Sequence, residues 1–182
     1  MEDFSPILTT QGVVEGSLDG KKRKDSGVMK YCAPKLIIKL YKVNKKKIRP
    51  TALLLAIKNN KVLVIKAHDY CKNENFYRLI GGGIEFGETG VQALAREIKE
   101  EVNTEIKNIK YLGLIENIFN YENKDKHEIV LVYKAEFIDK SIYGKREINI
   151  LDSRNPQKAF WVNKEELKKF KFYPEEIKKL IK

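Results

Sequence analysis

Cysteine is scarce in this chain, and long apolar runs are missing. The two cysteines among 182 residues, Cys32 and Cys71, are far apart and have no neighbouring Cys or His, which excludes the usual patterns of a zinc site or a redox pair. No stretch approaches the roughly 18 apolar residues of a membrane span. The first residues, MEDFSPILTTQGVVEGS, lack the basic start and apolar run of a secretory signal. We therefore expect a cytoplasmic protein that does not enter a membrane.

The charge is strongly positive. Lys and Arg number 36 against 25 Asp and Glu, which gives a formal net charge of +11. Such a charge attracts anionic partners, whether nucleotides, nucleic acids or membrane surfaces. Because the lysines are scattered along the chain, a solvated surface explains them more simply than a nucleic-acid site, which stays open as an alternative.

The chain length favours one domain with an extension. Residues 1 to about 30 show no sustained period and include the basic cluster Lys21 to Lys24, which predicts a flexible leader. Leu36 to Val43 have strand character, and a clearer pattern begins after Lys47. We predict a partly disordered N-terminal extension at residues 1–47 and a folded domain at residues 48–182.

The folded part alternates strand and helix patterns. TALLLAI, the pair Asn59-Asn60 and KVLVIKA predict a hairpin, because Asn tolerates the left-handed backbone of a two-residue turn. Further strands are predicted at residues 76–80, 109–115, 129–137 and 159–162. Helical periods occur within residues 89–102, 164–170 and 174–181. The predicted fold class is α/β in the broad sense (α+β), a mixed sheet with helices packed on it.

A glycine-rich segment precedes the first helix. The sequence GGGIEFGETG at residues 81–90 follows a strand pattern, so its backbone either bends sharply or approaches something closely. Thr89 with Gln92 three residues later predicts a capping box. An apolar stripe at 3.6-residue spacing then predicts the core-facing side of the helix; it consists of Val91, Leu94, Ala95, Ile98 and Val102.

Three acidic residues, Glu97, Glu100 and Glu101, fall within one arc of this helix. Like charges at this spacing repel, so the cluster is either spread in solvent or held together by a cation. Glu85 and Glu88 in the glycine segment bring more oxygen donors to the same end of the helix. Carboxylates and water around a hard cation indicate Mg²⁺, with Mn²⁺ as the alternative.

The segment from Gly82 to Thr104 resembles the Nudix box, G-x5-E-x7-R-E-U-x-E-E-x-G-U, where U is a bulky aliphatic residue. Seven fixed positions match: Gly82, Glu88, Arg96, Glu97, Ile98, Glu100 and Glu101. Two positions depart, since the final glycine is Asn103 and the final aliphatic residue is Thr104. Asn is the next best residue for a left-handed helix end, so we expect the backbone path to be preserved. FYRLIGGGIEFGE, NIFNYENKDKHEIVLVYKAEF and AFWVNKEEL extend the resemblance over about residues 48–182.

The resemblance implies a mixed sheet sandwiched between helices and a Mg²⁺-dependent hydrolase that cleaves a diphosphate linkage in a nucleoside diphosphate derivative. Among substrates, nucleotide sugars, ADP-ribose-like diphosphates and nucleoside triphosphates are favoured over dinucleoside polyphosphates and mRNA caps. It further implies metal ligation by Glu97, Glu100 and Glu101, and catalytic roles for Glu97, Glu101, Arg96 and Glu88. A homodimer is also consistent with the family.

Substrate-binding candidates are Arg78, Gly82, Gly83 and Glu128. Arg78 could reach a phosphate or pair with Glu85. Glu128 is a candidate ligand or base, and Glu116 a weaker one, although each could be a plain exposed strand residue.

Other side chains outside the box have two readings each. His127 could bind a phosphate, but a surface histidine is the simpler explanation. Tyr77, Phe119 and Tyr121 could stack on a base or fill the core.

Two alternatives to an enzyme stay open. A non-catalytic Nudix-fold module could bind a nucleotide or regulate another protein, although the complete set of clustered acids argues against it. A nucleic-acid-binding protein is suggested by the charge of +11.

Overall fold

The computed structural model describes residues 46–151 and 157–181. The predicted flexible leader, the cluster Lys21 to Lys24 and the predicted strand from Leu36 to Val43 lie outside these residues. The division of the chain near residue 47 stays a prediction.

Within the described residues the chain forms nine strands and four helical segments. The strands are β1 (Ile48–Leu54), β2 (Ile57–Lys58), β3 (Lys61–Asp69), β4 (Glu74–Arg78), β5 (Ile80–Gly83), β6 (Ile106–Tyr121), β7 (Lys124–Phe137), β8 (Glu147–Ile150) and β9 (Gln157–Asn163). The helices are α1 (Gly90–Val102), α2 (Lys164–Leu167) and α3 (Ile177–Leu180), with a 3-10 helix at Lys140–Gly144. The α+β class expected from the sequence is confirmed.

The strands are divided between two sheets. The first has the order β5-β1-β7-β6 and is mixed, because β1 runs parallel to β7 while its other pairs are antiparallel. The second has the order β2-β3-β9-β8, with β4 also paired to β3, and all of its pairs are antiparallel. This arrangement brings the N-terminal half of β7 and the end of β5 to the same region of the molecule.

Two apolar runs that the sequence predicts as single strands are each divided between the two sheets. The run at residues 51–57 leaves the first sheet after Leu54 and enters the second at Ile57, and the run at residues 76–80 is broken at Leu79. A strand covered on both faces has no polar alternation to mark where it changes partner. The predicted turn is confirmed: Asn59 and Asn60 have φ values of 47° and 61° and join β2 to β3.

Apolar residues pack on both faces of the sheets. Alternate residues of β3 belong to opposite clusters: Leu63 and Ile65 pack in the cluster that includes α1, while Val62 and Val64 pack in the cluster that includes α2 and α3. The sheets therefore lie between helices, as the resemblance implied. No helix in residues 46–151 or 157–181 has the length and apolar character that a membrane crossing requires.

The capping box predicted for α1 is confirmed, and its buried face differs in part from the predicted stripe. The capping box is present, because the side chain of Thr89 accepts from the N–H of Gln92 and the Gln92 side chain accepts from the N–H of Thr89. Of the predicted core residues, Val91 is 43% exposed and Ala95 is only partly buried, whereas Ala93, which the stripe did not include, is buried. Val91 is the second residue of the helix and lies in its first turn.

The helix ends at Asn103, which has a left-handed backbone with φ 53° and ψ 43° and donates its N–H to the carbonyl of Lys99. The departure from the glycine of the box therefore leaves the helix terminus intact. We predict that Asn103→Ala lowers the free energy of unfolding by about 1 kcal/mol, because a Cβ without a compensating polar group disfavours this conformation.

Asn103→Gly should match or exceed the native stability in urea unfolding. The matched control is Asn163→Ala, since Asn163 precedes α2 with φ −61° and makes no side-chain cap hydrogen bond. Equal losses for Asn103→Ala and Asn163→Ala would contradict this assignment.

Candidate functional site

The site is built where β5 approaches α1. A methyl group at Gly82 would lie 2.4 Å from both Cδ and Oε1 of Glu97, so the missing side chain lets this carboxylate lie against the strand. At Gly81, φ is +126° and a Cβ would lie 2.2 Å from the carbonyl oxygen of Ala52. The glycines therefore permit two close approaches, one to a carboxylate and one to the neighbouring strand.

Arg96 connects the loop after β5 to the acidic side of α1. Its Nε and Nη2 donate to Oε1 and Oε2 of Glu88 at 2.8 and 3.0 Å, which is a bidentate pair. Nη2 also donates to the carbonyl of Gly83, while Nη1 donates to Glu97 at 3.1 Å and to Glu100 at 3.2 Å. One guanidinium thus fixes the loop and orients Glu97.

This network shifts the protonation of its members. Hydrogen bonds from Arg96, together with the one from the backbone N–H of Glu85, lower the pKa of Glu88 from 4.5 to about 2. The pKa of Arg96 is raised, first by its hydrogen bonds to Glu88 and then by Glu97, against the effect of partial burial. Both partners therefore stay charged throughout the physiological pH range.

A cavity of about 940 Å³ opens beside these residues. Glu97 and Glu101 line it, and Oε2 of Glu101 accepts a hydrogen bond from the backbone N–H of Gly81 at 3.3 Å. The predicted residues Arg78 and Glu128 also line it. Side chains from α1 and from both sheets therefore meet at one space large enough for a nucleotide.

Other predicted residues lie outside the cavity wall. Glu100 is 61% exposed and forms an ion pair with Arg96. Within the described ranges, no three His, Cys, Asp or Glu side chains are close enough to form a metal centre. Glu88 also contacts Arg96. Gly82 and Gly83 do not line the cavity; Gly82 makes room for Glu97, and a Cβ at Gly83 would lie 3.2 Å from Nη2 of Arg49. The roles predicted for these residues stay predictions.

Two cationic side chains, Arg49 and Arg78, line the same cavity as the carboxylates. Arg49 is opposite Glu128 in the parallel pairing of β1 and β7, and its Nη1 lies 3.7 Å from Oε1 of that residue. Arg78 donates to Oε1 of Gln157 at 2.8 Å, so the suggested pairing with Glu85 is replaced by a contact to β9. Phosphate oxygens would meet two guanidinium groups at this wall.

The aromatic candidates separate into two groups. Phe119 and Tyr121 line the cavity, whereas Tyr77 packs in the core against Phe170. His127 also lines the cavity, and its Nε2 lies 3.0 Å from Oε1 of Glu116. Of the three aromatic candidates, Phe119 and Tyr121 therefore line the cavity, while Tyr77 is partly buried and packs against the core.

Three lining residues had no recognisable signal in the sequence: Arg49, Asn117 and Gln157. Arg49 reaches the site because β1 pairs with β7, and Asn117 because its position on β6 is opposite Glu128. Gln157 begins β9, far along the chain. Arg49 and Gln157 are brought in by strand pairing between distant segments, and Asn117 by the register of the β6–β7 hairpin, which a single sequence does not reveal.

The described site meets the needs of a hard cation and an anionic ligand. Mg²⁺ is usually bound by one or two carboxylates, several waters and substrate phosphates, so Glu97 and Glu101 facing one cavity fit it without a third protein ligand. The guanidinium groups of Arg49 and Arg78 can offset phosphate charge. The wall can therefore hold a phosphate-bearing ligand together with a divalent cation.

Comparison with known proteins gives a family match over most of the chain. The model of the NUDIX domain matches residues 47–182. The NAD-capped RNA hydrolase NudC of Vibrio atlanticus (strain LGP32) is 36% identical over 61 residues, which is 34% of this chain and 22% of that protein. The NudC of Pseudomonas aeruginosa (strain LESB58) is 26% identical over 101 residues, 56% of this chain and 34% of that protein. The chain therefore spans about a fifth to a third of the length of these relatives.

Solved structures show the same fold at low identity. A MutT NUDIX hydrolase from Burkholderia pseudomallei superposes with a TM-score of 0.56 and 18% identity, covering 73% of this chain and 96% of that one. A mutator MutT protein from Bacillus halodurans gives a TM-score of 0.51 and 19% identity, covering 74% and 80%. These similarities support the fold of the described residues.

The pair of Glu88 and Arg96 predicts a defined pH dependence of stability. Because the pKa of Glu88 falls from 4.5 to about 2 on folding, its contribution is complete above pH 4.5 and is lost as the pH falls towards 2. The stability difference between the native protein and Glu88→Gln should therefore be constant from pH 7 to 5 and shrink below pH 4.5. Urea unfolding across this range measures it.

Glu85→Gln is the matched control, because Glu85 is exposed and its hydrogen bonds within the loop are made by its backbone N–H and carbonyl, which the substitution leaves unchanged. A difference for Glu88→Gln that does not change down to pH 2 would show that the charged pair is not formed.

Proposed function

Because this chain belongs to the NUDIX domain family, we propose that it is a hydrolase that cleaves the diphosphate linkage of a nucleoside diphosphate derivative with the aid of Mg²⁺. The membership confirms the resemblance carried by the segment from Gly82 to Thr104. One observation supports the proposal above others: the carboxylates of Glu97 and Glu101 face the same cavity as the guanidinium groups of Arg49 and Arg78.

In this proposal Glu97 and Glu101 hold the cation. When bound, Mg²⁺ offsets the charge of the diphosphate and lowers the pKa of water. Arg96 orients Glu97, and Glu88 fixes Arg96. Glu100, which the family resemblance includes among the ligands, contacts Arg96 from outside the cavity and has a smaller role than the other two.

The chain's own residues bind and position the substrate. In this proposal Arg49 and Arg78 contact phosphate oxygens and Phe119 and Tyr121 contact a base, and the support is that all four line the cavity. Water adds to one phosphorus and the bridging P–O bond breaks, which yields two phosphomonoesters from a dinucleotide or nucleotide sugar. The proton from water passes to a carboxylate that faces the cavity, and Glu97 and Glu128 are the candidates.

The relatives guide the choice of substrate. The NudC proteins are named as NAD-capped RNA hydrolases, so NAD and NAD-capped RNA join ADP-ribose, nucleotide sugars and nucleoside triphosphates in the test panel. All contain the phosphoanhydride that the proposal requires. Mn²⁺ is included beside Mg²⁺ because both bind carboxylate oxygens.

We predict turnover of at least one panel substrate with Mg²⁺ and a loss of about 100-fold or more in kcat for Glu101→Gln. The amide oxygen of the variant can still accept from Gly81, so folding should be preserved. Nucleoside monophosphate and the second phosphate-bearing product, which is a phosphomonoester or pyrophosphate according to the substrate, are measured by chromatography.

Glu100→Gln is the matched control on the same helix, and we expect its kcat to fall by less than about tenfold because its side chain lies outside the cavity. Equal activity of Glu101→Gln and the native protein would show that the site is misplaced. No turnover of any substrate, with nucleotide binding retained, would favour a non-catalytic module.

The glycine pair gives a second test, because the two positions are crowded by different kinds of atoms. Gly82→Ala should keep its stability to within about 1 kcal/mol, because the flexible side chain of Glu97 can move away from the new methyl group. Its activity should fall at least about tenfold, because the carboxylate of Glu97 is then displaced from its position. Gly81→Ala should lose about 2–4 kcal/mol of stability, since the backbone of Ala52 cannot yield.

Urea unfolding and the substrate assay are run on both variants. Full activity in Gly82→Ala would mean that the close approach of Glu97 is unimportant for catalysis.

A further inference from the structure

A second cavity of about 670 Å³ lies at the other end of β7 from the catalytic candidates. Residues of β2, β6, β7 and the 3-10 helix form its wall. Within the described residues, its charged and aromatic lining consists of Lys58, Lys110, Lys134, Lys140, Glu136 and Tyr143. Four ammonium groups therefore share this space with one carboxylate.

An irregularity in β6 places two of these lysines opposite each other. Lys107 is paired with Glu136, and the next pair is Lys110 with Lys134, so two residues of β6 oppose the single residue Ala135. Asn108, within this bulge, has φ 55°. In a regular ladder Ile109 would have been opposite Lys134, so the bulge exchanges an apolar partner for a second cation. Like charges directly opposite each other destabilise a sheet.

Tyr143 brings the other two lysines together. The Nζ atoms of Lys58 and Lys140 lie 4.5 and 5.4 Å from the centre of its ring. The ring is itself fixed, because its hydroxyl accepts from the backbone N–H of Phe137 and it packs against Trp161. A rigid aromatic ring thus holds two ammonium groups at the cavity by cation-π attraction.

The single carboxylate does not balance this charge. Glu136 accepts hydrogen bonds from Lys140 and from the side-chain amide of Asn108. Elsewhere in the described part of the chain, no carboxylate lies within ion-pair distance of Lys58, Lys110 or Lys134. Three gathered ammonium groups are therefore left to be neutralised by solvent ions or by a ligand.

We propose that this second cavity is a binding site for an anion that carries several phosphate groups. Four ammonium groups distributed around about 670 Å³ match separated negative charges better than one compact anion. Lysine binds phosphate as a point charge without demanding a fixed orientation. The repulsion between Lys110 and Lys134 is relieved when such an anion lies between them.

Two sources could supply this chemistry: the backbone of single-stranded RNA and a free polyphosphate. The site is separate from the proposed catalytic cavity, since Glu128 and Lys134 are six residues apart on β7, about 20 Å along an extended strand. Loss of this site should therefore leave the hydrolysis of small substrates unchanged.

The test uses the full chain in EDTA, so that cation-dependent binding at the first cavity is suppressed. Binding of a short fluorescein-labelled single-stranded RNA is followed by polarisation at several salt concentrations, and binding of inorganic tripolyphosphate by calorimetry. The double variant Lys110→Gln/Lys134→Gln removes the opposed pair. The matched control, Lys99→Gln/Lys168→Gln, removes the same charge from exposed lysines that already pair with Glu105 and Glu165.

For RNA we expect the first double variant to bind at least about tenfold more weakly, with a salt slope reduced by about 1.4, while the control changes affinity less than about twofold. Tripolyphosphate binding that is lost in the same variant, without RNA binding, would support the small-anion source. The proposal is overturned if neither ligand binds the native protein, if the variant binds normally, or if both double variants lose affinity equally. In the last case net charge alone would explain the attraction.

Discussion

The guanidinium of Arg96 joins parts of the site that would otherwise move independently. It binds both oxygens of Glu88 in the loop, the carbonyl of Gly83 at the end of β5, and the carboxylate of Glu97 on its own helix. These contacts use three nitrogens of a planar group, which the single ammonium of a lysine could not reproduce. Because Arg96 and Glu88 are only partly exposed, the pair is less screened than a surface salt bridge. The position of Glu97 therefore depends on the loop, and the position of the loop depends on Arg96.

This constraint explains why the glycines before the helix are arranged as they are. Arg96 draws α1 towards β5, and the helix can approach only if the strand has no side chain where Glu97 lies, which Gly82 provides. Gly81 lets β5 run against β1 with a backbone that a larger residue would strain, and its N–H is then free to donate to Glu101. Two carboxylates of the helix thus contact the strand backbone, one by close packing and one by a hydrogen bond. Backbone and side chains determine the site together.

Local features of the sequence predicted local features of the structure. The capping box at Thr89, the Asn59-Asn60 turn and the left-handed end of α1 were predicted, because each depends on a few adjacent residues. The sequence predicts one acidic face for all three glutamates. Around the helix axis, however, Glu101 lies about 40° from Glu97 on one side, and Glu100 lies about 60° from Glu97 on the other. That rotation separates the two carboxylates of the cavity from the exposed one. The division of the strands into two sheets and the meeting of Arg49 with Glu128 could not be predicted, because they depend on pairing between distant segments.

The two cavities lie at opposite ends of β7 and differ in charge, because carboxylates and arginines line the first and mainly lysines line the second. The wall at His127 and Glu128 combines carboxylates with arginines, so a diphosphate there meets repulsion from Glu97 and Glu101 unless a cation neutralises them. The wall at Lys134 has an excess of ammonium groups and requires no such cation. The long-range field of a chain with charge +11 attracts anions to both ends of the strand. Taken together, the two proposals assign the choice between the sites to the local carboxylates: phosphate groups would bind with a divalent cation at the first cavity and without one at the second.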